Sequence, residues 1–168
     1  QTKEQAFRKL VATYKERLYW HIRKIVVSHD DADDVLQNTF IKIFRGIGNF
    51  KQESQLFSWM YKIATNESIS FINKRAKERN VDITEYQHSL VSNLDSDLNF
   101  DGDAIQLILQ KAIQTLPTKQ QLVFNMKYFD ELKYKDISDI LETSEGALKA
   151  SYFHAVKKIE DYIKNNAH

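Results

Sequence analysis

Residues that interrupt helices are scarce in this sequence. Its 168 residues include one Pro and four Gly, the two residue types that most often end a helix or form a tight turn. There is no Cys, so we expect neither a disulfide framework nor a thiolate metal site. The sequence therefore predicts an all-α protein built from long helices with short connections.

The charged residues are segregated along the chain. Residues 1–80 contain 15 Lys and Arg against 9 Asp and Glu, whereas residues 81–110 contain 6 acidic residues and no Lys or Arg. Residues 111–168 are close to balance, with 9 basic and 8 acidic residues. From Asn80 to Asp103 apolar residues are sparse, so we expect a flexible acidic tether there, with at most a transient turn at residues 84–90. This pattern predicts two small folded units, one on each side of the tether.

Three consecutive stretches of the N-terminal part show the helical repeat of apolar residues. The first predicted helix runs from about Lys3 to Val27, and the second follows a helix cap at Ser28. The second helix is expected to stop at Arg45 and Gly46, with Gly46 as a C′ glycine. The third helix is predicted from about residue 54 to residue 77. Its buried stripe would consist of Leu56, Met60, Ile63, Ala64 and Phe71.

The third predicted helix also carries aromatic, cationic and amide side chains outside that stripe. Flat rings stack on unpaired bases while cations hold phosphates, so this combination suits single-stranded nucleic acid. The pattern alone is more typical of a core helix whose aromatic residues simply pack. The side chains in question are Trp59, Tyr61, Lys62 and Asn66, with Lys74 and Arg75 near the helix end.

The C-terminal part is predicted to begin with a helix near Ala104 and a second helix from Pro117 to Phe129. A short helix over residues 134–141, a turn over 142–144 and a long helix over 145–164 then follow. This is helix-turn-helix spacing, in which the second helix enters a DNA major groove. The expected core residues of this pair are Ile137, Ile140, Leu141, Leu148, Phe153, Val156 and Ile159.

Three stretches together resemble a bacterial alternative sigma factor of the extracytoplasmic-function (ECF) group of the sigma-70 family. The first is DADDVLQNTFIKIFRGI, which resembles the region that docks on the β′ coiled coil of RNA polymerase. The second is NFKQESQLFSWMYKIATN, which resembles the segment that opens and reads the −10 element. The third is AIQTLPTKQQLVFNMKYFDELKYKDISDILETSEGALKASYFHAVKKI, which resembles the domain that reads the −35 element.

The resemblance implies a sigma2-like helical bundle over residues 1–79, an acidic linker over 80–103 and a sigma4-like helix-turn-helix domain over 104–168. In the docking helix it assigns polymerase contacts to a face that points away from the buried positions. Where relatives often have Glu this chain has Asn38, so an amide replaces a carboxylate at that contact. The expected docking residues are Asp34, Gln37, Asn38 and Ile41.

In the melting segment the resemblance assigns Asn66 and Phe50 to a pocket for an extruded base. An amide reads a base edge with one donor and one acceptor, and a ring replaces the stacking that the base has lost. The loop of residues 51–54 would surround the base, but it departs from the common Arg-Gly-Asp-Ser pattern, so the preferred base is not carried over. The full −10 set is Phe50, Lys51, Gln52, Glu53, Ser54, Trp59, Lys62, Asn66, Lys74 and Arg75.

In the helix-turn-helix unit the resemblance assigns −35 recognition to the first turns of the last helix. Lys149, Ser151 and His154 occupy positions where relatives often have Arg or Lys, so readout should be less arginine-driven here. Lys157 and Lys158 are placed for phosphate contacts, which position a domain without reading sequence. The full −35 set is Ser144, Glu145, Gly146, Ala147, Lys149, Ser151, His154, Lys157 and Lys158.

The resemblance also implies the partners of the chain. They are core RNA polymerase, through the β′ coiled coil and the β flap, promoter DNA, and an anti-sigma factor. We expect no cofactor, no metal site, no membrane insertion and a cytoplasmic location. The acidic cluster at residues 30–34 lacks the spacing of a calcium loop, and helix capping explains it better.

The sequence features bear on three other functions as well. An enzyme is disfavoured because the chain has no glycine-rich phosphate loop, nucleophile elbow or HExxH motif. A stand-alone helix-turn-helix regulator that binds duplex DNA would explain the C-terminal unit but would leave residues 50–75 without a purpose. A helical scaffold that binds only proteins is the third alternative.

Overall fold

The computed structural model describes residues 2–50, 55–90 and 103–166, and these residues form helices joined by turns. Among them, no helix is both long enough and apolar enough to span a bilayer. The α-helices are α1 (Lys3–Val26), α2 (His29–Gly46), α3 (Leu56–Glu78), α4 (Ile83–Ser89), α5 (Ala104–Gln114), α6 (Thr118–Tyr128), α7 (Tyr134–Leu141) and α8 (Glu145–Asn166), and a 3₁₀ turn covers Ile47–Asn49. An all-α fold is therefore confirmed.

The helices group into two compact units, which we call the N-terminal unit (residues 1–71) and the C-terminal unit (residues 72–168). The boundary falls inside α3, so this helix contributes to both. The predicted domain boundaries at residues 79 and 104 come from the family resemblance, whereas the two units are defined by compactness. The predicted division into domains therefore stays a prediction.

Helices α1 and α2 form the first layer of the N-terminal unit. Each begins at a polar cap: Thr2 accepts a hydrogen bond from the backbone N of Gln5, and Ser28 accepts one from Asp31. The two helices pack through a buried apolar face, and the edges of Phe40 and Phe44 meet the ring of Phe7. The fully buried members are Leu18, Ile22, Ile25, Ala32, Val35 and Ile43.

Tyr61 on α3 lies in the core of the N-terminal unit, so the prediction that it faces outward is wrong. Its ring is completely buried and stacks on His21 of α1, with ring centroids 3.9 Å apart. The hydrophobic pattern did not indicate this because the buried side of α3 includes hydroxyl residues. Thr65 and Ser68 are fully buried there, and each donates a hydrogen bond of 2.8 Å to the carbonyl four residues earlier in α3.

Helix α2 ends at Gly46 as predicted, but the glycine is not at the C′ position. It is the last residue of the helix, with φ −94°, which any residue adopts. Space explains the glycine better, because a Cβ atom built on it would lie 3.1 Å from Cζ2 of Trp59. The glycine therefore allows the end of α2 to approach the indole closely.

The C-terminal unit is built around α8, which contacts α5, α6 and α7. The predicted helix-turn-helix is confirmed, since α7 covers Tyr134–Leu141 and α8 begins at Glu145. The prediction that Phe153 belongs to the core is wrong, because its side chain is 63% exposed. The buried side of α8 repeats through Leu148, Ala155 and Ile159, and Phe153 lies well off that side at 100° per residue.

A helix, α4, occupies part of the predicted tether. Asp82 caps it by accepting a 2.7 Å hydrogen bond from the backbone N of Glu85, and Tyr86 is buried. Gln87 is fully buried against α6, where its Nε2 donates to Oε1 of Gln121 at 2.8 Å. Composition misses such a helix because tertiary contacts stabilise it. Residues 91–102 of the predicted tether lie outside the described residues.

Candidate nucleic-acid interface

The predicted docking residues lie on one exposed face of α2. Asp34, Gln37, Asn38 and Ile41 are all exposed, and Ile41 keeps 47% of its surface accessible. They recur at steps of three, one and three residues, which places them along one side of the helix. The face therefore combines a carboxylate, two amides and one apolar side chain outside the core.

Three acidic residues at the start of α2, Asp30, Asp31 and Asp33, are placed to stabilise the helix itself. The backbone N of Asp31 donates to the hydroxyl of Ser28 at 3.4 Å, and Asp33 lies 3.3 Å from Nε2 of His29. Carboxylates at this position are stabilised by the helix macrodipole. Within the described part of the chain no group of three or more potential ligands is arranged to hold a metal ion.

The outer face of α3 contains Trp59, Lys62 and Asn66. Steps of three and four residues place them on one side of the helix, and Asn66 is exposed while the other two are half-buried. Farther along, Lys74 is exposed and Arg75 lies 3.9 Å from the carboxylate of Glu78. The described part of the predicted −10 set thus presents an amide and cations to solvent.

Phe50 reaches this face from the 3₁₀ turn that follows α2. Its backbone N donates to the carbonyl of Ile47 at 3.3 Å, and its ring packs against Trp59 with centroids 5.1 Å apart. Trp59, a candidate for the melting surface, is half-buried against the turn and the end of α2. The remaining predicted members of the base loop, Lys51, Gln52, Glu53 and Ser54, lie outside the described residues.

The predicted −35 residues surround the N-terminal half of α8. Ser144 accepts a 3.3 Å hydrogen bond from the backbone N of Ala147 and so caps the helix. Except for the half-buried Ser151, the whole predicted set is exposed. The structure thus brings hydroxyl, imidazole and ammonium groups onto one accessible helix, and the set comprises Ser144, Glu145, Gly146, Ala147, Lys149, Ser151, His154, Lys157 and Lys158.

Three residues on or near α8 were not among the predicted −35 residues, namely Phe153, Tyr134 and Lys127. Phe153 is exposed and its ring meets His154 edge to face, with centroids 5.7 Å apart. The ammonium groups of Lys127 and Lys149 lie 4.5 and 5.7 Å from the ring of Tyr134. Burial, and secondarily Tyr152, raises the pKa of the Tyr134 phenol, so this ring stays neutral between the two cations. For Tyr134 the sequence offered one signal, because this residue is the first of the predicted helix over residues 134–141.

Comparison with known proteins places both units in one family. The family described as "Sigma-70 region 2" matches residues 10–78, and that described as "Sigma-70, region 4" matches residues 106–159. The first match covers α3 and its outer face, and the second covers the helix-turn-helix. A regulator consisting of a helix-turn-helix alone is not favoured, because it would have no region 2.

Full-length relatives and solved structures agree with these matches. The RNA polymerase sigma-H factor of Pseudomonas aeruginosa is 26% identical, and the ECF RNA polymerase sigma-E factor of Escherichia coli K12 is 24% identical; each match covers 96% of this chain and 88% of the relative. The fold is similar to that of the sigma factor RpoE in complex with the anti-sigma factor NepR from Bartonella quintana, with a TM-score of 0.75 at 20% identity over 96% of this chain and 99% of that one. CnrH in complex with the cytosolic domain of CnrY gives a TM-score of 0.70 at 18% identity, over 97% and 90% of the two chains. The chain belongs to the sigma-70 family as a member of the ECF group, and it is an alternative sigma factor that acts in transcription initiation.

Proposed function

We propose that this sigma factor binds core RNA polymerase through α2, opens the −10 element with α3 and reads the −35 element with α8. The observation that carries the proposal is that each of these helices has an exposed polar face that its own unit does not use for packing. Run-off transcription with core polymerase and genomic fragments tests it. We expect start-site-selective RNA only when this chain is present, and unselective RNA in both cases would refute the proposal.

The docking role belongs to Asp34, Gln37, Asn38 and Ile41, which contact the β′ coiled coil. All four are exposed, so replacing Asp34 and Gln37 together by Ala should lower core affinity without changing the fold. Glu16→Ala is a charge-matched control, because Glu16 is an exposed carboxylate of the same unit on a different helix, α1. Unchanged core affinity in the double variant would remove the docking assignment.

The melting role centres on Asn66, which reads the edge of an extruded base while Phe50 replaces its stacking. Lys62, Lys74 and Arg75 hold phosphates along α3. Asn66→Ala should slow promoter opening and leave core binding intact. Asn73→Ala provides the control, because it removes an exposed amide from the same helix roughly 10 Å farther along the axis. Equal loss of opening and core binding in Asn66→Ala would contradict the assignment.

The −35 role divides between base readout near Ser144 to His154 and phosphate contacts at Lys157 and Lys158. Lys157→Ala should weaken holoenzyme binding similarly on different −35 sequences and reduce the salt dependence, since a phosphate contact reads no sequence. Lys164→Ala, an exposed lysine near the end of α8, should change neither. A loss that depends on the −35 sequence would show that Lys157 reads bases.

The exposed faces of α2, α3 and α8 and the similar proteins together indicate the binding partners of this sigma factor. Core polymerase, including its β flap, and promoter DNA bind the faces described above, and the polymerase performs all catalysis in the cytoplasm. An anti-sigma factor is the third partner, since the similar solved structure of the sigma factor RpoE from Bartonella quintana is a complex with the anti-sigma factor NepR. A lysate pull-down with this chain, repeated with the Asp34 and Gln37 variant, tests whether that inhibitor covers the docking face.

A further inference from the structure

The aromatic residues at the start of α3 divide into two groups with different neighbours. Phe57 and Tyr61 face α1, where their rings contact Tyr14 at 5.8 Å and His21 at 3.9 Å between centroids. Trp59 lies on another side of α3 and contacts Phe50 at 5.1 Å. The indole is therefore separate from the aromatic core that holds α1 against α3.

The end of α2 packs closely against the indole of Trp59. Its Cζ2 and Cη2 atoms lie 3.1 and 3.5 Å from the position of a Cβ at Gly46. Gly48, two residues later in the same connection, has no atom within 4 Å of the corresponding position. The close approach is thus particular to Gly46, and it leaves the indole little freedom to move away from Phe50.

Phe50 needs such a support because its backbone alone does not fix its ring. It follows a 3₁₀ turn of three residues and is joined to that turn by one 3.3 Å backbone hydrogen bond. A half-buried ring on a short turn samples several rotamers unless a neighbour excludes them. In the described structure the indole of Trp59 is the aromatic surface that packs against it.

We infer that Trp59 is a positioning residue, which fixes the Phe50 ring beside the extruded base without binding DNA itself. The inference rests on the proposed base pocket of Phe50 and Asn66. Asn66 lies seven residues after Trp59 on the same side of α3, so the helix sets the spacing between the amide and the supported ring. A base that leaves the duplex regains stacking only if the receiving ring is already in place.

The test compares Trp59→Ala and Trp59→Phe with Trp20→Ala. Trp20 belongs to the same unit but is 45% exposed, so it controls for loss of an indole. Holoenzymes are mixed with a promoter fragment chosen by run-off transcription, in which 2-aminopurine replaces each non-template adenine of the −10 element in turn. Opening is measured as the 2-aminopurine fluorescence change, and core affinity and thermal unfolding are measured in parallel.

We expect Trp59→Ala to slow opening by roughly tenfold to a hundredfold, since a displacement of about 1 Å in a positioned group costs up to roughly a hundredfold in rate. Core affinity should be unchanged, Trp20→Ala should behave as wild type, and Trp59→Phe should recover much of the rate because it keeps a ring against Phe50. In a Phe50→Ala background, Trp59→Ala should have little further effect, because the residue acts through Phe50.

Three results would overturn the inference. Additive effects of Phe50→Ala and Trp59→Ala would mean that the indole meets DNA directly. Parallel losses of opening, core affinity and thermal stability in both Trp59 variants would mean a purely structural role. If the Trp59→Ala holoenzyme opens the promoter as fast as the Trp20→Ala holoenzyme, Trp59 has no role in opening. If Asn66→Ala slows opening in that last case, the inference about Trp59 is wrong but the proposed base pocket stands. If Asn66→Ala also opens the promoter at the wild-type rate, the proposed base pocket is wrong as well.

Discussion

Acid should destabilise the N-terminal unit, because folding buries the imidazole of His21. Only 1% of this residue is exposed, and its Nε2 lies 2.7 Å from the hydroxyl of Thr65. That hydroxyl donates its own proton to the carbonyl of Tyr61, so it accepts from a neutral His21 protonated at Nε2. Burial, and secondarily the charge of Lys24, holds the pKa of His21 well below its ordinary value of 6.5.

The sign and size of the effect follow from proton linkage. The folded unit keeps His21 neutral while the unfolded chain takes up a proton below about pH 6.5, so acid favours the unfolded state. The unfolding free energy is hardly affected by His21 above about pH 6.5, and it decreases as the pH falls from there toward the lowered pKa of the folded state. A histidine that protonates only when unfolded lowers the unfolding free energy by about 1 kcal/mol between pH 7 and pH 5.5.

Tryptophan fluorescence during urea unfolding measures this effect, because both Trp residues of the chain lie in the N-terminal unit. His21→Phe keeps a ring against Tyr61 but cannot titrate, so its unfolding free energy should lose the His21 part of the pH dependence. His154→Gln, which alters an exposed histidine, should keep the wild-type slope. An identical slope in wild type and His21→Phe between pH 7 and 5.5 would refute the reasoning.

Three further predictions concern the C-terminal unit. Ser144→Ala removes the cap of α8 and should lower the unfolding free energy by about 1 kcal/mol, while Ser144→Asp should restore it; hydrogen exchange at the start of α8 measures both. Asn125→Leu should raise that free energy by about 1 kcal/mol, because Asn125 is 2% exposed and neither side-chain polar atom finds a hydrogen-bond partner in the described protein; a lower thermal midpoint would contradict this. Phe153→Ala should change stability by less than about 0.5 kcal/mol because the ring is 63% exposed, yet it should weaken −35 binding in holoenzyme footprinting; a large loss of stability would return Phe153 to the core.

The parts of the fold that depend on local chemistry could be predicted from the sequence. Ser28 begins α2 as expected from its spacing to the following acids, and α7 and α8 begin where the turn at residues 142–144 places them. Apolar periodicity identified α1 because its buried residues recur regularly. The exposed faces of α2 and α8 followed from the same periodicity, whereas their proposed roles in docking and −35 recognition followed from the family resemblance.

The remaining features depend on contacts between distant residues. Tyr61 is buried because His21, forty residues earlier, offers a ring to stack on, and α4 is stable against Gln121 on α6. A signal for α4 was present, since Asp82 and Glu85 have the spacing of a helix cap. The fit of Trp59 against Gly46 has no local signal, because a glycine in a connection is normally read as a turn.

The inward hydroxyls of α3 make this helix suitable for redesign. Ser68 donates to a carbonyl of α3 itself, and Thr65 donates to another and accepts from His21 of α1, so the inner side of the helix requires no polar partner from the outer side. Libraries that vary Lys62, Asn66 and the exposed Ser70 should therefore yield folded proteins at high frequency. Such a library would be a direct route to orthogonal factors that direct the same polymerase to synthetic start sites.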